Sequence, residues 1–267
     1  MLEDKLALLK EYIAPLRRAA VAFSGGTDSA LLAFVTKEVL QENAFAITIW
    51  SPLLSAKDKT DIFDFTETHG IALIRVDFDE TRDADFCMNT PERCYFCKAS
   101  RIKAIEDRAR TWDIPWILDG SNVDDLGDFR PGMRALKESA CVKSPLLECG
   151  FSKAEIREAS RLYGLTSADK PAAACLASRV PTGTKIDADI VSVIERGEDI
   201  LREYLPDNTQ LRLRYDGHCG KIETELKAVS LIQARIEEIT AKLKNIGVET
   251  VSVDEDGYKT GKVTKKI

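Results

Sequence analysis

Three stretches of the 267-residue chain carry residue types able to do chemistry. The first, Phe23-Ser24-Gly25-Gly26-Thr27-Asp28-Ser29, lies between an apolar run, Ala19 to Phe23, and a stretch of helical periodicity from Asp28 to Leu40. Glycines let a backbone turn tightly and aim its N–H groups at an anion, and the following helix adds the positive end of its dipole. The segment has neither the Gly-Lys-Ser/Thr ending of a Walker loop nor the glycine spacing of a dinucleotide fingerprint. Phosphate would be held by backbone amides and the hydroxyls of Ser24, Thr27 and Ser29. The plainer alternative is a strand-to-helix turn capped by Thr27 or Asp28.

The second stretch is sulfur. Arg93-Cys94-Tyr95-Phe96-Cys97-Lys98 falls at the start of a predicted helix, where the dipole and flanking cations favour thiolates. Cys175 lies far off in the loop from Lys170 to Arg179, so three thiolates can be gathered only by the fold. Structural zinc, which would want a fourth ligand such as His218 or Cys219, and a redox disulfide are alternative uses. Cys87, Cys141 and Cys149 read as small buried hydrophobes, and His218-Cys219 between two glycines reads as a turn. With only His69 and His218, an imidazole-rich zinc site or a His-dependent triad has little to draw on.

The third is a loop after a predicted strand, Asp119-Gly120-Ser121-Asn122-Val123-Asp124-Asp125, running on to Arg130. Its carboxylates suit Mg²⁺ or helix capping, and Arg130 suits a phosphate or carboxylate. Further on, Leu211-Arg212-Leu213-Arg214-Tyr215 alternates leucines on one strand face with arginines on the other. Cross-strand pairing with Glu223 or Glu225 accounts for those arginines most simply.

The elements that position these residues follow from periodicity. Strand-like runs at 19–23, 45–50, 71–76 and 116–118 alternate with helical stretches, which predicts parallel βαβ units. After Lys170-Pro171 a small-residue stretch leads to Pro181-Thr182-Gly183, and the pattern becomes helix, two strands, helix and strand. The fold expected is α/β with a parallel sheet over residues 1–170, a cysteine-bearing linker over 171–185 and a small α+β domain over 186–267. There are 38 Lys plus Arg against 44 Asp plus Glu, a net charge of −6, so general nucleic-acid binding is disfavoured without a local basic patch. No apolar run approaches the roughly 20 residues of a membrane span, the amino terminus is acidic, and seven cysteines make an odd count. These features predict a cytoplasmic protein with reduced thiols.

The Ser-Gly-Gly-x-Asp-Ser loop after an amino-terminal strand resembles that of the PP-loop ATP pyrophosphatases, which split ATP into AMP and pyrophosphate while adenylating a substrate. Together with Gly120-Ser-Asn122-x-Asp124-Asp, Arg93-Cys94-x-x-Cys97-Lys98, Cys175-Leu-Ala-Ser178-Arg179 and the Val248 to Lys262 stretch, it resembles the LarE family of ATP-dependent sulfurtransferases. The resemblance covers both predicted domains. It implies adenylation of a carboxylate of pyridinium-3,5-biscarboxylic acid mononucleotide, then sulfur insertion to give a thiocarboxylate for a nickel-pincer cofactor, the product passing to a nickel-inserting step.

Within that resemblance Ser24, Gly25, Gly26, Thr27, Asp28, Ser29 and Asn122 bind ATP, and Asp28 with Asp124 holds Mg²⁺. Cys175, Ser178 and Arg179 are catalytic. Arg212, Arg214, Glu198 and Glu223 form the substrate-phosphate region. Single-cysteine members sacrifice the position of Cys175, leaving dehydroalanine. The presence of Cys94 and Cys97 matches the three-cysteine members instead, which implies a [4Fe–4S] cluster on Cys94, Cys97 and Cys175 with sulfide as the sulfur source. A homo-oligomer is expected, and a PP-loop enzyme that thiolates tRNA is the alternative acceptor reading.

Overall fold

The computed structural model describes residues 1–127, 132–170, 174–207 and 209–258. Arg130, residues 171–173 of the predicted linker and the end of the 248–262 stretch lie outside the described residues. In chain order the elements are α1 (Leu2–Ile13), β1 (Ala19–Ala22), α2 (Thr27–Leu40), β2 (Ala44–Trp50), α3 (Ala56–Thr68), β3 (Ala72–Asp77), α4 (Ala84–Cys87) and α5 (Arg93–Arg110). There follow β4 (Trp116–Leu118), α6 (Gly132–Lys137), β5 (Val142–Lys143), α7 (Pro145–Glu148) and α8 (Lys153–Leu162). The last are α9 (Ala188–Arg202), β6 (Leu211–Tyr215), β7 (Cys219–Thr224), α10 (Val229–Gln233), α11 (Ile236–Lys244) and β8 (Thr250–Val253).

Contacts divide the chain into two compact units. Met1–Ser51, Ala56–Phe78 and Cys94–Ala172 form one, and Pro52–Ser55, Asp79–Arg93 and Ala173–Ile267 the other. The sequence reading places residues 1–170, a linker over 171–185 and a domain over 186–267 in order along the chain, whereas by contacts two short excursions from the first half join the second unit.

In the first unit the strands form a parallel sheet in the order β3-β2-β1-β4-β5. Ala19, Ala20 and Val21 of β1 are wholly buried between its neighbours β2 and β4, which is why that run shows no polar alternation. The chain leaves β1 toward β2 and β3 on one side and returns to β4 and β5 on the other. The order therefore reverses beside β1, and the crevice outside the carboxyl ends of β1 and β4 is where such sheets bind ligands. Because α5 connects β3 to β4 in a parallel sheet, it runs back against the strands and begins at that same carboxyl edge. The two-residue β5 is too short to give a periodic signal.

In the second unit β6 and β7 pair antiparallel with Arg212 opposite Glu223, and β8 adds parallel to β7. All five residues of β6 are buried, so its arginine face is covered as well as its leucine face. A methyl group added at Gly197 of α9 would clash with Leu213, which places that helix unusually close to β6. The second helix expected in this half of the chain is two, α10 and α11, because Arg235 leaves the helical region at φ −124. The spacing of the buried residues Ile232, Ile239 and Leu243 fits an unbroken helix, so periodicity does not mark the break. Among the described residues no helix is long and apolar enough to cross a membrane.

Candidate active site

The phosphate loop leaves β1 at the reversal point of the sheet. Gly25 has φ +70, in the left-handed region that favours glycine, and Gly26 is the N-cap of α2 with no side-chain cap bond. The N–H groups of the first turn of a helix have no intrahelical acceptor, so this uncapped end is shaped to receive an anion. Ser29 Oγ donates to the Gly26 carbonyl at 3.1 Å and lies 3.2 Å from Ser24 Oγ, while Thr27 Oγ1 donates to the Ser167 carbonyl at 2.9 Å. In this geometry Thr27 and Ser29 bond within the protein, while Ser24 is exposed and the backbone amides at the start of α2 carry no side-chain cap.

Asp28 is held by Lys153, whose Nζ lies 2.6 Å from each carboxylate oxygen. Burial pushes the Asp28 carboxyl above its usual range, Lys153 opposes the shift, and Asp125 adds to it. The Lys153 backbone N–H also donates to Asp124 at 2.7 Å, so Asp28 and Asp124 flank one lysine at the start of α8. Asn122 Oδ1 accepts from Asp124 N–H at 3.0 Å, and Asp125 accepts from Asn122 N–H at 3.0 Å. Turn capping therefore accounts for much of the acidic loop, as its composition allows.

Lys98, Lys153, Lys170 and Ser167 are absent from the predicted site, yet each touches it. Lys170 Nζ lies 3.3 Å from the Gly25 carbonyl, 3.1 Å from Asp58 and 2.8 Å from Asp61, tying the glycine turn to α3. The Ser167 hydroxyl, buried beside Thr27, has no hydrogen-bond partner among the described residues. Lys98 Nζ donates to Asp119 at 2.8 Å, linking the cysteine-bearing helix to the end of β4. Only the Lys98 signal was available in sequence, through its place in the Cys94-x-x-Cys97-Lys98 motif.

Burial of Asp119 would raise its carboxyl pKa, but the charge and hydrogen bond of Lys98, with the bonds from Ser121, outweigh that and hold it below the usual range. A depressed carboxyl contributes stability that is present above its unfolded pKa of about 3.9 and is lost as pH falls through the folded value. Lys98→Met is accordingly expected to lower the melting temperature at neutral pH, and the gap to wild type should narrow as thermal scans are taken down toward about pH 3. A gap independent of pH would detach Lys98 from Asp119.

Cys94 and Cys97 stand three residues apart at the start of α5 and so share a helix face, the first exposed and the second partly buried. Cys175 is an exposed free thiol in the second unit. Two soft donors on one helix turn suit a thiophilic metal group. Among the described residues no three His, Cys, Asp or Glu side chains are gathered as a metal-holding group. Cys87 and Cys149 are buried, Cys141 and Cys219 only partly so, and the Cys141 thiol donates to Glu106.

In the second unit Arg179, Arg212, Arg214, Glu198 and Glu223 are each at most 6% exposed, so the predicted phosphate region is an interior network. Arg179 meets Glu198 through Nε at 2.8 Å and Nη2 at 2.9 Å, and Arg214 Nε meets Glu223 at 2.9 Å. Arg212 lies over the Tyr258 ring at 5.3 Å, and burial followed by the charge of Arg179 pushes its guanidinium pKa down. Ser178 is drawn into the same network, its Oγ 3.2 Å from Arg179 and its carbonyl 2.6 Å from Arg214.

Residues 1–108 match the NAD synthase family. The sheet order, the glycine turn and that match over residues 1–108 fit a PP-loop α/β fold, joined here to a second unit with its own small sheet. Over 267 residues the chain is 36% identical to the uncharacterized protein slr1717 of Synechocystis sp., covering 99% of this chain and 98% of that one, and it belongs to the same family. It is 28% identical over 264 residues to the pyridinium-3,5-bisthiocarboxylic acid mononucleotide synthase of Lactiplantibacillus plantarum, covering 98% of this chain and 94% of that protein. A shorter similarity, 26% over 110 residues, covers 40% of this chain and 36% of one of the subunits of the glutamine-hydrolyzing GMP synthase of Thermoplasma volcanium.

Proposed function

We propose that the protein is an ATP-dependent sulfurtransferase acting on a carboxylate of pyridinium-3,5-biscarboxylic acid mononucleotide. The observation that carries the reading is the similarity to the bisthiocarboxylic acid mononucleotide synthase, which extends over 98% of the chain and so spans both the phosphate loop and the Cys175 turn. The uncapped start of α2 at the sheet reversal supports the nucleotide half.

In this reading a substrate carboxylate oxygen attacks the α-phosphorus of ATP and pyrophosphate leaves. A sulfur nucleophile then attacks the acyl carbon, and AMP departs with the carboxylate oxygen, leaving a thiocarboxylate. The amides of Gly25, Gly26 and Thr27 hold phosphate oxygens, Asp28 and Asp124 are the residues that would hold Mg²⁺, which would neutralise phosphate charge there, and Asn122 shapes the neighbouring turn. For Arg212 and Arg214 to serve the phosphate of the nucleotide substrate, to which planar guanidiniums are suited, their interior network with Glu198 and Glu223 would have to open to it. Cys94, Cys97 and Cys175 are the residues that would hold a [4Fe–4S] cluster. Bound there, that group supplies a soft iron site for sulfide.

The test is anaerobic turnover with ATP, Mg²⁺ and the dicarboxylate nucleotide, with and without sulfide, following pyrophosphate, AMP, the mass of the small-molecule product and the intact protein mass. Pyrophosphate release that requires the nucleotide, together with a sulfur-for-oxygen product, is expected. ATP cleavage indifferent to the nucleotide, or a product without sulfur, would sink the reading. A colourless protein whose Cys175 loses the elements of hydrogen sulfide would replace the cluster with sacrifice of that side chain, in which the Cβ–S bond breaks as the α-proton leaves.

A further inference from the structure

We infer that Asn89 and Arg93 are positioning residues that fix the Cys175 turn for sulfur transfer. The inference rests on the function proposed above for that turn, while its geometry stands within the second unit alone. Only a four-residue 3₁₀ turn, Leu176–Arg179, gives regular structure to the stretch between Cys175 and the start of α9. Besides backbone bonds such as Ser178 N–H to the Cys175 carbonyl at 2.9 Å, its carbonyls are held by side-chain nitrogen. Arg179 Nη1 donates to Ala174 and Cys175 at 2.5 and 3.0 Å, and Arg214 Nη1 donates to Ser178 at 2.6 Å.

The remaining holds come from the excursion over residues 79–93. Asn89 Nδ2 donates to the carbonyls of Pro181 at 2.8 Å and Thr184 at 2.9 Å, while its own carbonyl accepts from Gly183 N–H at 3.0 Å. Asn89 Oδ1 accepts from Arg93 Nη1 at 2.6 Å, and the same Nη1 donates to the Ala177 carbonyl at 2.9 Å. Asn89 is 1% exposed and has φ +50, a conformation uncommon outside glycine and best tolerated by asparagine and aspartate. Such a backbone persists when its surroundings over-determine it, and here it aims the side chain and the main chain of one residue at the same turn.

The thiol on this turn is exposed although side chains tie the backbone around it at the carbonyls of Ala174, Cys175, Ala177, Ser178, Val180, Pro181 and Thr184. That combination suits a thiol that must be reachable and yet keep a set place in the sulfur-transfer site, where a displacement of about 1 Å costs on the order of a hundredfold in rate. Arg179 and Arg214 have partners of their own in Glu198 and Glu223. Among the described residues, Arg93 gives its Nη1 protons to Asn89 Oδ1 and the Ala177 carbonyl, and Asn89 gives its amide protons to the turn.

The test uses the full-length protein with Arg93→Met, Arg93→Lys and Asn89→Gly, the last keeping the backbone conformation while removing the amide. Amide hydrogen exchange over residues 174–184 and the rate of iodoacetamide alkylation at Cys175 read the clamp with no substrate present. Both should rise in Arg93→Met and Asn89→Gly. Sulfur transfer should fall about tenfold or more, with the KM for ATP and the pyrophosphate released per nucleotide bound held at wild-type values. Arg93→Lys should recover part of the transfer rate. Unchanged exchange and alkylation would overturn the inference, as would a parallel loss of pyrophosphate release, which marks a general folding role. A wild-type protein that transfers no sulfur, with exchange faster in the variants, would retire the proposed function and leave the clamp standing.

Discussion

Asp28→Asn is expected to lower nucleotide-dependent pyrophosphate release by roughly 10²–10³-fold, the effect of removing one preorganised electrostatic group from a reacting centre, while the melting temperature moves little. The activity loss follows from the position of Asp28 in the first turn of α2, beside the amides assigned to phosphate, where a carboxylate can hold a divalent ion. The small stability change follows from two opposed effects. Burial disfavours the ionised carboxyl, so removing its charge relieves the fold of that cost, but the paired bonds from Lys153 go with it. The sign on pH is fixed by the same shift. A raised carboxyl pKa favours the folded state at acid pH, so wild type should gain on Asp28→Asn as pH falls through the folded value. Retention of pyrophosphate release in the variant would remove Asp28 from the nucleotide chemistry.

Arg179→Met should cost about 3–5 kcal/mol of unfolding free energy, the range for removing one partner of a buried ion pair. Its partner Glu198 would be left charged and 5% exposed, with Leu213 N–H at 3.0 Å as its other described hydrogen bond. The variant also frees the carbonyls of Ala174 and Cys175. Adding Glu198→Gln to Arg179→Met removes the stranded charge and keeps an acceptor for Leu213. The double variant is therefore expected to recover a substantial part of the loss in urea unfolding curves. A single-variant cost under about 1 kcal/mol, the scale of an exposed pair, would mean that this pair is not desolvated in solution.

The phosphate loop was legible because its signals are local: a buried apolar strand, two glycines and a helical period follow one another within a few residues. The start of α8 carries a signal of the same local kind, a capping box of Ser152 and Glu155 three residues apart. Lys153 could not be read as part of the site, because its contact with Asp28 joins residues 125 apart. The alternation of Leu211 to Tyr215 told which residues share a face and nothing of what covers that face, and both faces proved buried. Likewise no composition shift marks residues 79–93 as part of the second unit. They are tied to it by Asn89 hydrogen bonds spanning 91 to 95 positions.

In the three-stranded sheet of the second unit β6 is an edge strand. At its middle residue, Leu213, the outward N–H is taken by Glu198, whose carboxylate also grips Arg179 and through it the carbonyl of Cys175. A charged side chain sealed against a strand edge denies another chain the hydrogen bonds it would need to extend the sheet. The brace of the thiol-bearing turn thus also takes up the edge N–H that strand addition would use.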